Sequence, residues 1–343
     1  MADVNRRWLL AQRPQGMIKD ADFRRVEEPA PEPGDGEFLV RVTHLSFDPT
    51  QRGWISMDSY LPAVKIGDPV RAGGVGQVVK SNHPGFKVGQ LVQGGFGWQD
   101  YFVSAGMTEF MPVQPLFPGV TPEQALGVFG ITGLTAWFGL TDVGKPQAGD
   151  TVVVSGAAGA TGSVVVQIAK ALGCTVIGIA GGPEKCRWVV ETAGADACID
   201  YKNEPVPARL KALAPKGVNV VFENVGGEIL EASMMNLALR ARIVLCGGIS
   251  SYNAEGPPDG IRTYMALTVQ RARMEGFIVL DYAPRYAEGV QALAKLMAEG
   301  KLKTAEDVQH GFDNIPATLR RLFEGKNFGK QLLKIVDPPL PVA

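Results

Sequence analysis

The chain has 343 residues, of which 45% are hydrophobic and 20% are charged, and its 34 basic residues nearly balance 35 acidic ones. A chain of this length predicts two domains, each large enough to bury its own core. The net charge of −1 argues against the global basic excess of a nucleic-acid-binding protein, and the apolar content argues against disorder. Apolar runs stay well short of the roughly 18 residues that a transmembrane helix needs, so we expect no membrane span.

The N-terminal segment and the cysteines predict a cytoplasmic protein. Residues 1–10 carry charge where a signal peptide has a continuous apolar core. The four cysteines, Cys174, Cys186, Cys198 and Cys246, are scattered over one half of the chain and form no C-x-x-C pair. We therefore expect reduced thiols rather than a disulfide framework.

The first 125 residues predict short strands separated by turns. A Pro/Gly/acidic run at 29–36 precedes the β-rich segment 37–42, and further strands are predicted at 76–80 and 91–93. The spacing of the turn signals is typical of a partly open β-barrel.

From about residue 125 the pattern changes to strands that alternate with helices. Such alternation predicts a doubly wound parallel sheet with right-handed crossovers. A helix is predicted at 163–172, a candidate active-site loop at 250–260 and a final strand at 330–336. The predicted strands of the parallel sheet are 151–155, 175–180, 197–199, 218–222, 242–246 and 275–280.

A glycine-rich turn between the strand at 151–155 and the helix that follows it is the strongest local signal. Residues 157–162 read AAGATG, the G-x-G-x-x-G fingerprint with alanine at the first glycine. Such a turn brings the backbone close to a pyrophosphate, whose charge then sits at the helix N-terminus. A flexible turn is the alternative, but the strand and helix on either side favour dinucleotide binding.

The segment after the second strand favours NADP over NAD. An NAD-specific site normally has an acidic residue there for the ribose 2′-hydroxyl. Residues 179–185 read IAGGPEK instead, which leaves space for a phosphate and places Lys185 as a point charge beside it. Glu184 opposes this assignment, and a solvated Lys185 is the alternative.

Several further stretches, in order, resemble the medium-chain dehydrogenase/reductase superfamily. Within it the chain is similar to the leukotriene B4 12-hydroxydehydrogenase/prostaglandin reductase family, with its alkenal double-bond reductases and curcumin reductases. The resemblance covers nearly the whole chain. Besides the AAGATG turn, the matching stretches are SFDP at 46–49, RG at 52–53, GGVG at 73–76, GLTA at 133–136, FENVGG at 222–227, CGGISSYN at 246–253 and NFGK at 327–330.

This resemblance implies a GroES-like, partly open β-barrel domain plus a Rossmann domain with a doubly wound parallel sheet. The implied division is 1–127 for the catalytic domain, 128–303 for the NADP-binding domain and 304–343 for the return to the catalytic domain. A homodimer is also implied. The residues implied to bind NADP(H) are Thr135, Gly159, Ala160, Thr161, Gly162, Lys185, Tyr201, Asn224, Cys246, Gly247, Gly248, Ile249, Ser250, Ser251, Tyr252, Phe277, Ile278, Val279 and Asn327. Turn capping is the alternative for Asn224 and Asn327, and strand core is the alternative for 277–279.

The donor residues of a catalytic zinc are missing from the sequence pattern. The first 173 residues contain no cysteine, and the three histidines, His44, His83 and His310, form no H-x-x-x-H pair. Where zinc-dependent members of the superfamily carry Gly-His-Glu, this chain has Gly74-Val75-Gly76. We therefore expect no metal.

A zinc-independent enzyme of this family is expected to reduce the carbon–carbon double bond of α,β-unsaturated aldehydes and ketones. Hydride would add to the β-carbon, and the charge would spread into an enolate. Tyr252 is the candidate proton donor, with water or a merely structural tyrosine as alternatives. NADPH quinone reduction and a non-catalytic NADPH-binding sensor or structural protein are the alternative functions.

The substrate pocket departs from the family pattern at one position. Many members read Asp-Pro-Tyr where this chain has Asp48-Pro49-Thr50. We therefore expect Thr50 and Arg52 to line a different pocket, with Tyr60 filling part of the space.

Overall fold

The computed structural model describes residues 3–256 and 260–342, which divide into two compact units. One unit contains residues 3–126, 306–327 and 331–342. The other contains the described part of Gly127–Ala305 together with Phe328–Lys330. The second unit thus includes a three-residue segment, 328–330, that the predicted division at 303/304 assigns elsewhere.

The N-terminal part of the first unit is built from short strands. Its elements are β1 (Val4–Leu10), β2 (Phe23–Pro29), β3 (Phe38–Ser46), α1 (Thr50–Trp54), β4 (Gly74–Ser81), β5 (Leu91–Gly94), β6 (Tyr101–Ser104), β7 (Gln114–Pro115) and α2 (Pro122–Leu126). A short 3₁₀-helix spans Asp20–Asp22. β1 and β2 form an antiparallel pair by themselves.

The second unit alternates strands and helices. Its elements are α3 (Ile131–Phe138), β8 (Thr151–Ser155), α4 (Ala160–Ala171), β9 (Thr175–Ala180), α5 (Pro183–Glu191), β10 (Ala197–Asp200), α6 (Val206–Leu213), β11 (Val218–Glu223), α7 (Gly227–Met234), β12 (Leu237–Leu245), α8 (Met265–Gln270), β13 (Arg273–Gly276) and α9 (Tyr286–Ala298). A π-helix spans Gly139–Gly144, and 3₁₀-helices span Ile249–Ser251 and Val279–Arg285.

In the described part of the second unit, six strands form one parallel sheet in the order β10-β9-β8-β11-β12-β13. The chain runs from β8 outward to β10 and then crosses to β11 on the other side of β8. The strand order therefore reverses between β8 and β11, and open α/β sheets bind ligands at the carboxyl ends of the strands at such a point. Val152, Val153 and Val154 of β8 are fully buried, as expected for the centre of a sheet covered on both faces.

The C-terminal part returns to the sheet of the first unit. Its elements are β14 (Glu306–His310), a 3₁₀-helix (Phe312–Asn314), α10 (Ile315–Phe323) and β15 (Lys330–Lys334). β15 pairs antiparallel with β3, so the sheet order is β14-β15-β3-β4-β5-β7, with β6 also on β3. None of the helices in the described parts of the chain has the length and apolarity needed to cross a membrane.

Most predicted elements are found, with one clear error. The predicted strands at 151–155 and 175–180 coincide with β8 and β9, and the strand at 330–336 ends two residues early, at Lys334. The prediction of a strand at 275–280 is wrong beyond Gly276, because β13 ends there and a 3₁₀-helix begins at Val279. The predicted loop 250–260 begins within a 3₁₀-helix, and its residues 257–259 lie outside the described residues.

A buried ion cluster in the first unit generates a stability prediction. Asp100 is 1% exposed, and its carboxylate accepts a hydrogen bond from Arg6 Nε (2.6 Å) and contacts Arg41 Nη1 (2.5 Å). Removing one partner from a buried charge cluster leaves the other charges without compensation. We expect Asp100→Ala to lower the free energy of unfolding by about 3–5 kcal/mol in urea denaturation followed by circular dichroism.

The matched control is the exposed ion pair between Arg7 and Glu28, whose side chains are 26% and 51% exposed. Exposed pairs contribute little because water screens them. Glu28→Ala should therefore change the free energy of unfolding by less than about 1 kcal/mol. Equal effects of the two substitutions would contradict the assignment.

Candidate active site

The glycine turn joins the central strand of the parallel sheet to its first helix. β8 ends at Ser155, Gly156 has a φ of +61°, and Gly159 precedes α4 with extended backbone. A Cβ atom at Gly162 would overlap the carbonyl oxygen of Gly156, so no larger residue fits there. The first turn of a helix has backbone N–H groups without helical acceptors, and the helix dipole favours an anion at this end. The turn therefore has the shape and charge of a pyrophosphate cradle.

A segment from the C-terminal part of the chain is attached to this turn. The backbone N–H of Gly329 donates to the carbonyl oxygen of Ala158 (2.9 Å), and Gly159 forms an isolated parallel bridge with Gly329. The ring of Phe328 meets the ring of Trp188 on α5 edge to face, with centroids 5.4 Å apart. The structure thus places residues 328–330 of the NFGK stretch at the glycine turn. Asn327 belongs to the first unit, and its contact with cofactor stays a prediction.

The end of β9 carries the residues predicted to select the nucleotide. Gly181 and Gly182 lead into α5, and Lys185 lies in the first turn of that helix. A Cβ atom at Gly181 would lie 2.9 Å from the hydroxyl and ring atoms of Tyr201, so the tyrosine ring covers this glycine. The ring is partly open to solvent, since Tyr201 is 46% exposed. Lys185 and Tyr201, far apart in sequence, thus both border the turn after β9.

A buried carboxylate that sequence reasoning missed holds the same turn. Asp200, at the end of β10, accepts hydrogen bonds from the N–H of Gly182 (2.7 Å), the N–H of Lys202 (3.1 Å) and the side-chain amide of Asn203 (2.7 Å). Burial opposes ionisation, but the hydrogen bonds from Asn203 and Gly182 outweigh it and lower the pKa of Asp200 below its ordinary value. Asp200 therefore fixes the backbone at the end of β9 as an ionised acceptor.

A second buried acid lies at the point where the strand order reverses. Glu223, at the end of β11, is fully buried, and its Oε1 accepts hydrogen bonds from Ser155 Oγ (2.7 Å) and from the N–H groups of Val225 (2.6 Å) and Gly226 (2.8 Å). Within the residues that the structure describes, its Oε2 has no hydrogen-bond partner. Burial raises the pKa of Glu223 above its ordinary value, although the hydrogen bonds from Gly226 and Ser155 lower it.

Asn224 adds two further links between the same strand ends. Its backbone N–H donates to Ser155 Oγ (2.8 Å), and its side-chain Nδ2 donates to the carbonyl oxygen of Ser155 (2.7 Å). The side chain thus caps the end of β8, which matches the capping alternative. Contact between Asn224 and a cofactor stays a prediction.

The predicted segment 246–252 is held against the end of β11. The N–H groups of Cys246 (2.9 Å) and Gly247 (3.1 Å) donate to the carbonyl oxygen of Glu223. The backbone N–H (3.0 Å) and Oγ (2.6 Å) of Ser250 donate to the carbonyl oxygen of Val225. These bonds bring the segment to the carboxyl ends of the strands, beside the Ser155–Glu223 pair.

The phenol of Tyr252 folds back onto its own segment. Its oxygen accepts a hydrogen bond from the backbone N–H of Gly248 (3.2 Å). Since a phenol carries both a donor and acceptor sites, Tyr252 can accept this bond and also donate its proton.

The remaining predicted cofactor residues of the second unit take part in local packing and hydrogen bonds. Thr135 Oγ1 donates to the carbonyl oxygen of Ile131 (2.7 Å) one turn earlier in α3. Phe277 packs so closely on Gly139 that a Cβ atom there would overlap its ring. The carbonyl oxygen of Val279 accepts a hydrogen bond from the hydroxyl of Tyr286 (3.1 Å). These contacts agree with core packing for 277–279, and a role in cofactor binding stays a prediction.

The structure brings two of the predicted substrate residues of the first unit together. Thr50 Oγ1 lies 2.7 Å from the hydroxyl of Tyr60, which also accepts a hydrogen bond from Trp54 Nε1 (3.2 Å). Arg52 is buried and donates to the carbonyl oxygen of Gly16 (3.1 Å) and to that of Pro14 (3.2 Å). Arg52 thus stabilises the fold, whereas Thr50 and Tyr60 form a partly exposed hydroxyl pair.

Possible metal ligands are dispersed in the structure. Across 3–256 and 260–342, no three His, Cys, Asp or Glu side chains cluster in a way that could hold a metal ion. His44 is buried, and its Nδ1 lies 2.9 Å from Thr43 Oγ1. Burial lowers the pKa of His44 to about 4, with a smaller opposing effect of Glu123.

Known proteins resemble this chain along nearly its whole length. Residues 6–113 match the family model described as the N-terminal domain of oxidoreductase, and residues 160–297 match the model described as zinc-binding dehydrogenase. The chain is 41% identical to an NADPH-dependent curcumin reductase of Escherichia coli K12 (96% of this chain, 97% of that protein). It is 36% identical to an NADP(+)-dependent 2-alkenal reductase of Nicotiana tabacum (96% and 97%).

A solved structure with high similarity is that of CurA from Vibrio vulnificus in complex with NADPH. The two chains are 41% identical and superpose with a TM-score of 0.92, covering 97% of this chain and 100% of the other. The predicted fold class, a GroES-like domain with a Rossmann domain, is confirmed by these similarities.

The raised pKa of Glu223 generates a prediction about pH. A carboxyl whose pKa is higher in the folded than in the unfolded state contributes its full stability at low pH and loses it as pH rises through the folded pKa. Glu223→Gln removes this titration but keeps the size of the side chain. The free energy of unfolding is measured by urea denaturation for the natural protein and for Glu223→Gln at pH 5 and at pH 8. We expect the value for the natural protein minus the value for the variant to be larger at pH 5 than at pH 8. A difference that grows with pH would contradict the buried-acid assignment.

Proposed function

Because the chain belongs to the leukotriene B4 12-hydroxydehydrogenase/prostaglandin reductase family of the medium-chain dehydrogenases/reductases, we propose that it reduces the carbon–carbon double bond of α,β-unsaturated aldehydes and ketones. It is an NADP-dependent oxidoreductase. The observation that carries the proposal is the similarity to NADPH-dependent reductases over 96% of the chain, with the glycine cradle intact. The homodimer and the cytoplasmic location stay predictions.

The residues of the second unit fit NADP(H). The glycine turn, with its obligatory Gly162 and the N-terminus of α4, would hold the pyrophosphate. Lys185 and Tyr201, which border the turn after β9, would contact the 2′-phosphate end of the cofactor. The segment 246–252 would line the nicotinamide half.

When bound, NADPH supplies the hydride for the β-carbon of the substrate. The protein then has to stabilise the negative charge on the enolate oxygen and deliver a proton to the α-carbon. Tyr252 is our candidate for the proton donor. Its oxygen accepts a hydrogen bond from the backbone N–H of Gly248. This N–H would stabilise the negative charge that remains on the oxygen after the proton is transferred.

We propose that the reaction does not use zinc, although one matched family model carries zinc binding in its description. A catalytic zinc needs three protein ligands and an open position. Among the described residues, no three His, Cys, Asp or Glu side chains lie close enough together to form such a set. His44 is buried, and its Nδ1 lies within hydrogen-bond distance of Thr43 Oγ1. An enone does not require a metal, because its conjugation already disperses the charge that hydride addition creates.

The hydroxyl pair of Thr50 and Tyr60 supports a substrate pocket that differs from the common family pattern. Tyr60 supplies an aromatic hydroxyl, and its hydrogen bond to Thr50 fixes the position of that group. The pair would bind the carbonyl end or the polar tail of a substrate. This assignment predicts a substrate preference different from that of relatives with Asp-Pro-Tyr.

The test of the proposed function is product analysis. A medium-chain 2-alkenal is supplied with NADPH, cofactor oxidation is followed by absorbance, and the product is identified by mass spectrometry. The proposal expects a saturated aldehyde. An allylic alcohol would show carbonyl reduction instead and would overturn the proposal. The proposal would also be overturned if NADPH were oxidised only in the presence of quinones, or if no acceptor led to NADPH oxidation.

Lys185→Ala tests the 2′-phosphate contact. Losing one charged hydrogen bond costs about 1.5–3 kcal/mol, so KM for NADPH should rise roughly ten- to a hundredfold, with little change in KM for NADH. The control is Lys211→Ala, at an exposed position in the last turn of α6, which should leave both constants unchanged. Equal effects on the two cofactors would remove Lys185 from the 2′-phosphate site.

Tyr252→Phe tests the proton donor. Loss of a general acid typically costs about 10²–10⁴ in rate, so kcat with an enone should fall by at least about a hundredfold while KM for NADPH changes little. Tyr264→Phe is the matched control, because Tyr264 is 60% exposed in the same unit. An unchanged kcat for Tyr252→Phe would leave water as the donor.

A further inference from the structure

Two cysteines that the mechanism does not use are in contact in the second unit. Cys186 lies in α5, Cys198 lies in β10, and their sulfur atoms are 2.7 Å apart. A disulfide needs an S–S distance of about 2.05 Å, so only a small further approach separates this pair from a bond. Both thiols are free in this structure.

The pair is open to small molecules from solvent. Cys186 and Cys198 line a shallow surface depression together with Pro183, Arg187 and Asn203. Neither side chain is fully buried. By contrast, Cys174 is buried and donates to the carbonyl oxygen of Gln147 (3.5 Å), so its sulfur has a partner inside the fold.

The hydrogen bond between the two sulfurs assigns different roles to them. Cys198 is the donor and Cys186 the acceptor, so Cys186 forms the thiolate more easily than Cys198, although its pKa stays above the ordinary value. Burial raises the pKa of both thiols, and the neighbouring carboxylates of Asp200 and Glu204 raise that of Cys186 further. The same carboxylates disfavour an anionic oxidant, so a small uncharged hydroperoxide is the fitting reagent.

We propose that Cys186 and Cys198 are a redox modification site, at which a hydroperoxide forms a reversible disulfide that weakens binding of NADPH. The Cys186 thiol first loses its proton to solvent, and the small fraction present as thiolate attacks one oxygen of the hydroperoxide. The O–O bond breaks, and the other oxygen leaves as alcohol or water once protonated. The resulting sulfenic acid is attacked by the sulfur of Cys198, which forms the S–S bond and releases water. The two sulfurs lose two electrons in total, and the peroxide gains them.

The coupling to NADPH rests on the proposed function and on the neighbours of the pair. Cys186 directly follows Lys185 in the chain. Cys198 lies two residues before Asp200 and three before Tyr201, and the carboxylate of Asp200 accepts a hydrogen bond from the N–H of Gly182. A disulfide would draw the first turn of α5 toward β10. The approach would move Lys185 relative to Tyr201 and disturb the site for the 2′-phosphate.

The test treats the full-length protein with hydrogen peroxide, then counts free thiols and maps disulfides by peptide mass spectrometry without reduction. We expect the thiol count to fall from four to two, with a single Cys186–Cys198 linkage that dithiothreitol reverses. Cys174→Ser should still form the bond, whereas Cys186→Ser should not. Retention of all four thiols in the natural protein, or a linkage to another cysteine, would overturn the site.

The second measurement is the Kd of NADPH and NADH, by fluorescence titration of the reduced and the oxidised protein. We expect oxidation to raise Kd for NADPH at least threefold and to change that for NADH less. Equal changes for both cofactors, or none, would overturn the coupling to the 2′-phosphate site. Because neither measurement needs turnover, a failure of the proposed reductase activity would be seen separately, in the product analysis.

Discussion

The close approach of two backbone segments in the turn after β8 is the constraint on which the candidate site depends. The carbonyl oxygen of Gly156 occupies the space where a side chain at Gly162 would start. This contact lets α4 begin directly at the end of the central strand, with its N-terminus at the edge where the strand order reverses. Because that helix end and the strand edge coincide, an anion bound there is placed at the ligand-binding edge of the sheet.

Buried acids hold the loops around this edge. Glu223 and Asp200 lie at the ends of β11 and β10, and both accept hydrogen bonds from backbone N–H groups of neighbouring turns. Burying a carboxylate is costly, and such groups are found where hydrogen bonds compensate. Their environments differ: hydrogen bonds lower the pKa of Asp200, whereas burial raises that of Glu223, which has one oxygen without a partner in the described part of the chain. Glu223 therefore fixes its loop at some cost in stability when ionised, whereas Asp200 fixes its turn as a stabilised carboxylate.

Strands at the centre of the parallel sheet are the elements that the sequence pattern predicts best. β8 and β9 were predictable because a run of buried β-branched residues between turn signals has few other interpretations. The apolar run at 277–280 looked similar but is not a strand. Phe277 packs on Gly139, and Val279 joins the cluster of Leu134 and Phe138, so the chain leaves the sheet to cover α3. Periodicity cannot distinguish these uses, because both bury the same apolar side chains.

The sequence by itself determined the two-part organisation, the parallel sheet, the glycine turn and the family, because these depend on local spacing and on motifs in a fixed order. Tertiary structure alone decided which distant residues meet. Examples are Ser155 with Glu223, and the sulfur of Cys186 with that of Cys198. The physical reason is that hydrogen bonds and sulfur contacts between remote segments depend on strand register and helix position, which are fixed only when the whole core packs.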